Sequence, residues 1–165
     1  MTSAAPALAM SDSTTDAPLT IPSEVLGPIT VAPGDVLTFE HGVLGFPACR
    51  EFVLLPTGRE GLYWLQSAEH SALTFLLADP FTLVPGYTLD LGATEGGDAL
   101  AGASPTDVVA LVILTLPATR AEPPTANLQG PVVIDLRTRQ GRQVVVTSGQ
   151  YDLRHPVDLS QKLVG

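Results

Sequence analysis

The chain has few of the residues on which disulfide frameworks, metal sites and membrane spans depend. It contains one cysteine, Cys49, so no disulfide can form within the chain, and its three histidines share no metal-ligand spacing with one another or with Cys49. The longest apolar run, residues 108–116, is about half the length that a membrane-spanning helix needs. The sequence therefore predicts a soluble, cytoplasmic protein without a metal, a cofactor or a membrane contact.

Charged residues are also scarce, and they are unevenly distributed. Asp, Glu, Lys and Arg make up 15% of the 165 residues, and 17 acids against 8 bases give a net charge of −9. Residues 1–119 carry −11 of this charge, and residues 120–165 carry +2. An acidic body repels nucleic acid and attracts basic proteins, although the same acidity could serve only to keep the domain soluble.

The length fits a single domain preceded by a tail. A chain of 165 residues can bury a sizeable core without a disulfide or a metal. Residues 1–22 are rich in Ser, Thr, Ala, Asp and Pro, and they lack the basic start and apolar stretch of a secretory signal. We therefore expect a disordered tail over residues 1–22 and one domain over residues 23–165.

Short segments rich in Val, Leu, Phe, Tyr and Thr, separated by 15 prolines and 15 glycines, predict a mainly β fold with few long helices. The predicted strands cover residues 30–31, 36–39, 51–55, 62–67, 73–78, 108–116, 132–136 and 142–147, with a weaker candidate at 87–91. Residues 108–116 are apolar at every position except Thr115, which is typical of a central strand of a closed barrel or sandwich. A short helix is expected at 98–103, capped by Asp98, and Gln140-Gly141 is expected to form a hairpin turn.

Catalysis by a thiol is one alternative that the residues leave open. Cys49 with His41, His70 or His155 could form a nucleophile and its base, as in a small thiol-dependent hydrolase. A lone cysteine beside Phe-Pro-Ala is more often a small buried residue.

Two other patterns could indicate binding of a nucleotide or a nucleic acid. The glycine-rich segments 41–46 and 92–98 lack the Lys-Ser/Thr end of a phosphate-binding loop, so turns are the better interpretation. Arg137, Arg139 and Arg142 could contact RNA, but three arginines on a hairpin without interleaved aromatics are more often a solvated edge. Recognition of another protein remains the leading class of function.

Eight segments between residues 29 and 157 form a recognisable series: LTFEHGVLGFP (37–47), FVLLP (52–56), LYWLQS (62–67), LTFLLADPF (73–81), YTLDL (87–91), TANLQGPVVID (125–135), GRQVVV (141–146) and YDLRHPV (151–157). In this order they resemble the FliW family of bacterial flagellar assembly factors. The combination of NLQGPVVID, GRQVVV and YDLRHP is specific, whereas FEHGVLGF and LQS are supportive. TANL stands where the family usually has TVNL, a mild loss of β propensity.

The resemblance implies a compact antiparallel β-barrel-like domain with one or two short helices and no catalytic role. It also implies two protein partners, since members of this family bind the RNA-binding repressor CsrA, which frees flagellin mRNA, and they bind flagellin. Flagellin competes in this exchange, so translation follows secretion. The resemblance favours noncompetitive action on CsrA, from a surface beside its RNA site, and we expect a monomer that does not bind nucleic acid itself.

Several side chains are candidates for contact with these partners. Tyr63 and Trp64 alternate along one predicted strand, so one should face the core and the other solvent. Asn127 could either belong to a binding surface or satisfy backbone groups at the entrance of a strand. The candidate contact residues are Phe46, Tyr63, Gln66, Asp79, Asn127 and Gln129.

Overall fold

The computed structural model describes residues 17–43, 45–100 and 102–159, except for the side chains of residues 98 and 99, and most of its regular structure is short strands. The strands in chain order are β1 (Leu19–Ile21), β2 (Ile29–Val31), β3 (Leu37–Thr38), β4 (Glu51–Pro56), β5 (Leu62–Ser67), β6 (Thr74–Ala78), β7 (Thr94–Glu95), β8 (Val108–Thr115), β9 (Thr125–Ala126), β10 (Val132–Asp135), β11 (Gln140–Gln143), β12 (Val145–Val146) and β13 (His155–Pro156). An α-helix, α1 (Pro80–Leu83), follows β6, and 3-10 turns cover Pro33–Asp35, Leu91–Ala93 and Gly97–Leu100.

Seven strands close into a barrel. Their order around the ring is β10, β11, β3, β4, β5, β6 and β8, and the ring closes because β8 pairs with both β6 and β10. Neighbours in the ring are antiparallel except β11 and β3, which run parallel. The predicted mainly β, barrel-like fold is thus confirmed, as is the central position of the strand predicted at 108–116, which ends at Thr115.

Strand β8 is buried on both faces because it separates two cores. Val109 and Leu111 point into the barrel, where they pack with Phe39 and Phe52. Residues of the opposite face, such as Val112, pack under α1 and the segments around residues 87–100, 126–128 and 144–157. Strict alternation in a strand sends successive side chains to opposite faces, so an uninterrupted apolar run is what two cores require.

The ordered structure begins earlier in the chain than predicted. Strand β1 pairs with β2, and Ile21 is buried with Val31 and Val53 in a small satellite core. The predicted tail over residues 1–22 therefore extends too far, because Ile21 gains burial by forming this hairpin. The remainder of the predicted tail, residues 1–16, lies outside the described residues.

The hairpin between β10 and β11 turns at a different place from the predicted one. Residues 136–139 form the turn, where the carboxylate of Asp135 accepts hydrogen bonds from the backbone N–H groups of Arg137 (2.9 Å) and Thr138 (3.4 Å). Arg139 takes the left-handed conformation, with φ of 60°. Gly141 lies in strand β11, where a side chain would collide with the ring of Phe39. The prediction of a Gln140-Gly141 turn is wrong because this glycine is required by packing.

Other short elements also differ from the predictions. Residues 87–91 form no strand, and the turn of helix predicted at 98–103 is instead the 3-10 turn Gly97–Leu100, with Asp98 inside it. The helix α1 was not predicted, although Asp79 before Pro80 is a common start signal. In the part of the chain that the structure describes, no helix has the length and apolarity to span a membrane.

The contact between Gly141 and Phe39 generates a test of barrel packing. We expect Gly141→Ala to lower the free energy of unfolding by about 1–3 kcal/mol, because the new Cβ would lie about 2.6–2.7 Å from ring atoms of Phe39. Urea denaturation followed by circular dichroism measures this change. Gly102→Ala is the matched control, since nothing lies within 4 Å of the place that its Cβ would occupy. Equal stability of the two variants would contradict the packing.

Candidate protein-interaction site

A cleft of about 480 Å³ lies between two segments that are distant in sequence. One wall is formed by residues 41–43, 45 and 47, and the other by residues 127, 129 and 130 with residues of β11 and β12 and Leu153. The residues that line it are His41, Gly42, Val43, Gly45, Pro47, Asn127, Gln129, Gly130, Arg142, Gln143, Val145 and Leu153. We call it the 41–47/127–130 cleft.

Two glycines with positive φ shape the first wall. Gly42 has φ of 68°, and a Cβ there would lie 2.7 Å from the Cα of Pro47; Gly45 has φ of 88°. The backbone N–H of Phe46 donates to the carbonyl of Val43 at 2.7 Å. This turn carries Phe46 to the surface, where its side chain is 42% exposed and its ring packs edge-on against Phe75.

Asn127 shapes the opposite wall through its own amide. Its side-chain Oδ1 accepts hydrogen bonds from the backbone N–H groups of Gln129 (3.2 Å) and Gly130 (2.9 Å), and its backbone N–H donates to the carbonyl of Ile113 in β8 (2.9 Å). Asn127 therefore satisfies backbone groups, one of the two roles considered for it; it also lines the cleft, and contact with a partner stays a prediction. The side chain fixes a turn that would otherwise leave two N–H groups without acceptors.

Gln129 is the amide that the cleft presents. Its carbonyl accepts a hydrogen bond from the N–H of Val146 at 2.8 Å, so its backbone is anchored. Its side chain is half-buried in the cleft wall, and no hydrogen bond joins it to another described residue. Next to it, the amide of Gln143 donates to the carbonyl of Gly130 at 2.8 Å and closes the turn. Gln129 is therefore available for an outside partner.

The apolar residues of the cleft were not among the sequence candidates. Val145 is 41% exposed and Leu153 is 57% exposed. A signal was present for Val145, because three consecutive valines in a strand, residues 144–146, must send the middle one to the face opposite its buried neighbours.

An aromatic stack holds the segment that carries Leu153. Tyr151 packs on Tyr87 with ring centroids 4.7 Å apart, and Tyr87 packs on Phe81 of α1 at 5.4 Å. Burial raises the pKa of Tyr87, and its hydroxyl donates to the carbonyl of Leu128. The backbone of Leu128 in turn donates to the carbonyl of Asp152 at 3.0 Å. Leu153 is thus fixed beside the 127–130 segment.

Three of the sequence candidates lie inside the domain. Gln66 is 0% exposed, and its Oε1 accepts from the hydroxyls of Ser23 (2.7 Å) and Thr74. Asp79 is buried and caps α1 by accepting from the N–H of Phe81. Tyr63 is 8% exposed. In this conformation none of the three presents a surface to a partner, because each is committed to internal packing or hydrogen bonding.

Of the two aromatic residues on β5, one faces the core, as the predicted alternation requires. Tyr63 faces the barrel core, where burial and, to a smaller extent, the charges of Asp79 and Glu60 raise its pKa. Trp64 on the other face is half-buried. Neither residue belongs to the 41–47/127–130 cleft.

Cys49 lies in the barrel core, not in a cleft. It is 4% exposed and packs in the same cluster as Phe39 and Phe52. His41 and His70 are exposed, and His155 is half-buried in β13. Among the described residues no group of three or more His, Cys, Asp or Glu could hold a metal ion. This placement gives no support to a thiol-dependent hydrolase.

Comparisons of sequence and of structure with known proteins all match the same family. A family model described as FliW protein matches residues 20–157. Flagellar assembly factors FliW from Moorella thermoacetica and Geobacillus thermodenitrificans are 35% and 38% identical to the chain; each alignment covers 78% of this chain, and 82% and 88% of the respective relatives. A crystal structure of the flagellar assembly factor FliW superposes with a TM-score of 0.73 at 34% identity, covering 84% of this chain and 96% of the other.

The different roles of the two amides in the cleft wall can be separated by mutation. We expect Asn127→Ala to lower the free energy of unfolding by about 1–2 kcal/mol, because two backbone N–H groups lose their acceptor. Gln129→Ala should stay within about 0.5 kcal/mol of the unmutated protein, since its side chain has no internal partner. Thermal and urea unfolding measure both. A larger loss for Gln129→Ala than for Asn127→Ala would reverse the assignment.

Proposed function

This chain belongs to the FliW family of flagellar assembly factors, and from that premise we propose that it controls flagellin production by binding two proteins. The first partner is a CsrA-type repressor, which it removes from flagellin mRNA. The second is flagellin, which competes for it and so couples translation to secretion. Membership of the family, over residues 20–157, is the observation that carries this proposal.

The charge of the chain supports the first partner. A protein that represses mRNA must present Lys and Arg to phosphates, and a chain with net charge −9 attracts such a surface. Complementary charge mainly accelerates encounter and selects partners. In the proposed mechanism the protein acts noncompetitively, from a surface of the repressor beside its RNA site.

The position of Cys49 supports binding over catalysis. A nucleophilic thiol needs access to substrate and a base within hydrogen-bonding reach. Cys49 is instead packed among Phe39, Phe52 and other apolar side chains of the barrel interior. We therefore propose a regulator without catalytic activity or cofactor. It acts as a monomer in the cytoplasm, where flagellin mRNA is translated.

An RNA-retention experiment tests this proposal. The purified protein is titrated into a complex of a CsrA-type repressor with flagellin mRNA leader, and retained RNA is measured on a native gel. We expect release of the RNA, reversed by added flagellin, and an association rate with the repressor that falls as salt screens the opposite charges.

Two results would count against the proposal. Unchanged RNA retention at saturating protein would contradict antagonism of the repressor. Salt-sensitive binding of the protein to RNA without any repressor would instead support the alternative in which arginines of the β10–β11 hairpin contact RNA.

A further inference from the structure

The 41–47/127–130 cleft has the opposite charge to the protein that contains it. Its lining includes Arg142 and His41 and no Asp or Glu among the described residues. Arg142 comes from residues 120–165, which carry +2, whereas residues 1–119 carry −11. The cleft is therefore a small cationic site on an acidic molecule.

Arg142 is held in place without an ionic partner among the described residues. It lies on β11 opposite Val133, and it is half-buried. Its side chain passes over Gly96, where a Cβ would approach Nε to 2.7 Å, so the absence of a side chain at Gly96 makes room for it. No described residue forms a salt bridge or hydrogen bond with the guanidinium. The guanidinium of a partly buried arginine offers a planar fork of donors suited to a carboxylate.

Exposed carboxylates also lie near this site. Glu40 lines a neighbouring cavity together with Arg142 and His41, and Glu95 is aligned with Val145 across strands β7 and β12. Both are exposed, and neither forms an ion pair with Arg142. Among the side chains that the structure describes, none neutralises the positive charge of Arg142.

Apolar side chains concentrate at the same place. Among the described residues six large apolar side chains are exposed, and three of them belong to this face: Val145 and Leu153 line the cleft, and Phe46 follows the lining residue Gly45. Exposed apolar groups that cluster around a cleft with a few polar groups mark interaction sites.

We propose that the 41–47/127–130 cleft docks an extended peptide segment of a partner protein, in which a carboxylate stands beside an aliphatic side chain. The carboxylate pairs with Arg142, the aliphatic side chain covers Val145 and Leu153, and the free amide of Gln129 bonds the peptide backbone.

This inference rests on the proposed function and narrows it. The acidic body as a whole favours a basic partner, whereas the cleft selects an acidic segment. The two proposed partners can therefore use different parts of the molecule, and the cleft belongs to the partner that is not the basic RNA-binding protein.

Fluorescence polarisation with a defined probe tests the docking site. The probe is a short fluorescein-labelled peptide of alternating leucine and glutamate, and the control peptide has glutamine in place of glutamate. We expect the glutamate peptide to bind and the glutamine peptide to bind at least about tenfold more weakly, which corresponds to the loss of one partly buried charge pair.

Matched variants locate the binding. Arg142→Gln and Leu153→Ser should each weaken binding of the glutamate peptide about tenfold or more, while Arg137→Gln, an exposed arginine on the β10–β11 turn, should bind as the unmutated protein does. Circular dichroism and unfolding midpoints establish that the variants fold. Equal binding of the two peptides, no binding of either, or equal affinities for Arg142→Gln and Arg137→Gln would overturn the proposal.

Analytical sedimentation tests whether a second copy of this chain, and not a peptide of another protein, occupies the cleft. Self-association that Arg142→Gln abolishes would assign the cleft to a dimer contact and overturn the peptide proposal.

The RNA-retention experiment separates the docking site from the proposed function. If Arg142→Gln still releases RNA but no longer binds the peptide, both proposals stand. If the unmutated protein binds the peptide but releases no RNA, the proposed antagonism of the repressor fails and the docking site remains.

Discussion

Closure of the barrel through β8 is the constraint on which the remaining structure depends. This strand pairs with β6 on one side and β10 on the other, and its last residues also pair with β9. Because β9 leads directly into Asn127, whose N–H donates to the carbonyl of Ile113, the wall of the cleft is an extension of the central strand. A change that opened β8 from β10 would also displace the 127–130 segment, so stability and the shape of the site are coupled through one element.

The cleft is built mainly from backbone geometry, which leaves its exposed side chains free for recognition. Gly42 and Gly45 bend one wall, and the amides of Asn127 and Gln143 hold the other. These polar groups satisfy N–H and C=O groups that a loop would otherwise leave to water. The result is a preformed site, and a preformed site loses less conformational freedom on binding than a disordered one. This arrangement suits the exchange of partners proposed above.

The sequence predicted the strands of the barrel better than the turns and the site. Residues 62–67 form β5 as predicted, and the apolar run at 108–116 became β8, since burial on both faces leaves a clear pattern. The turn after β10 escaped prediction because a glycine can serve packing as well as a turn, and Gly141 makes room for Phe39. Gln66 is a predicted contact residue, yet its side chain accepts a hydrogen bond from Ser23, which follows directly on the segment predicted to be a tail. The cleft brings together segments 41–47, 127–130 and Leu153, and only their tertiary contacts reveal it.

Native-state amide hydrogen exchange tests most directly whether β8, β10 and the 127–130 wall of the cleft form one cooperative unit. The amides of β8 and β10, together with those of Asn127 and Val146, should exchange with the free energy of global unfolding, while amides of the β1–β2 hairpin should exchange through smaller openings. Exchange of Asn127 and Val146 through local opening, at free energies well below those of β8, would show that the 127–130 wall moves independently of the barrel and would contradict this coupling.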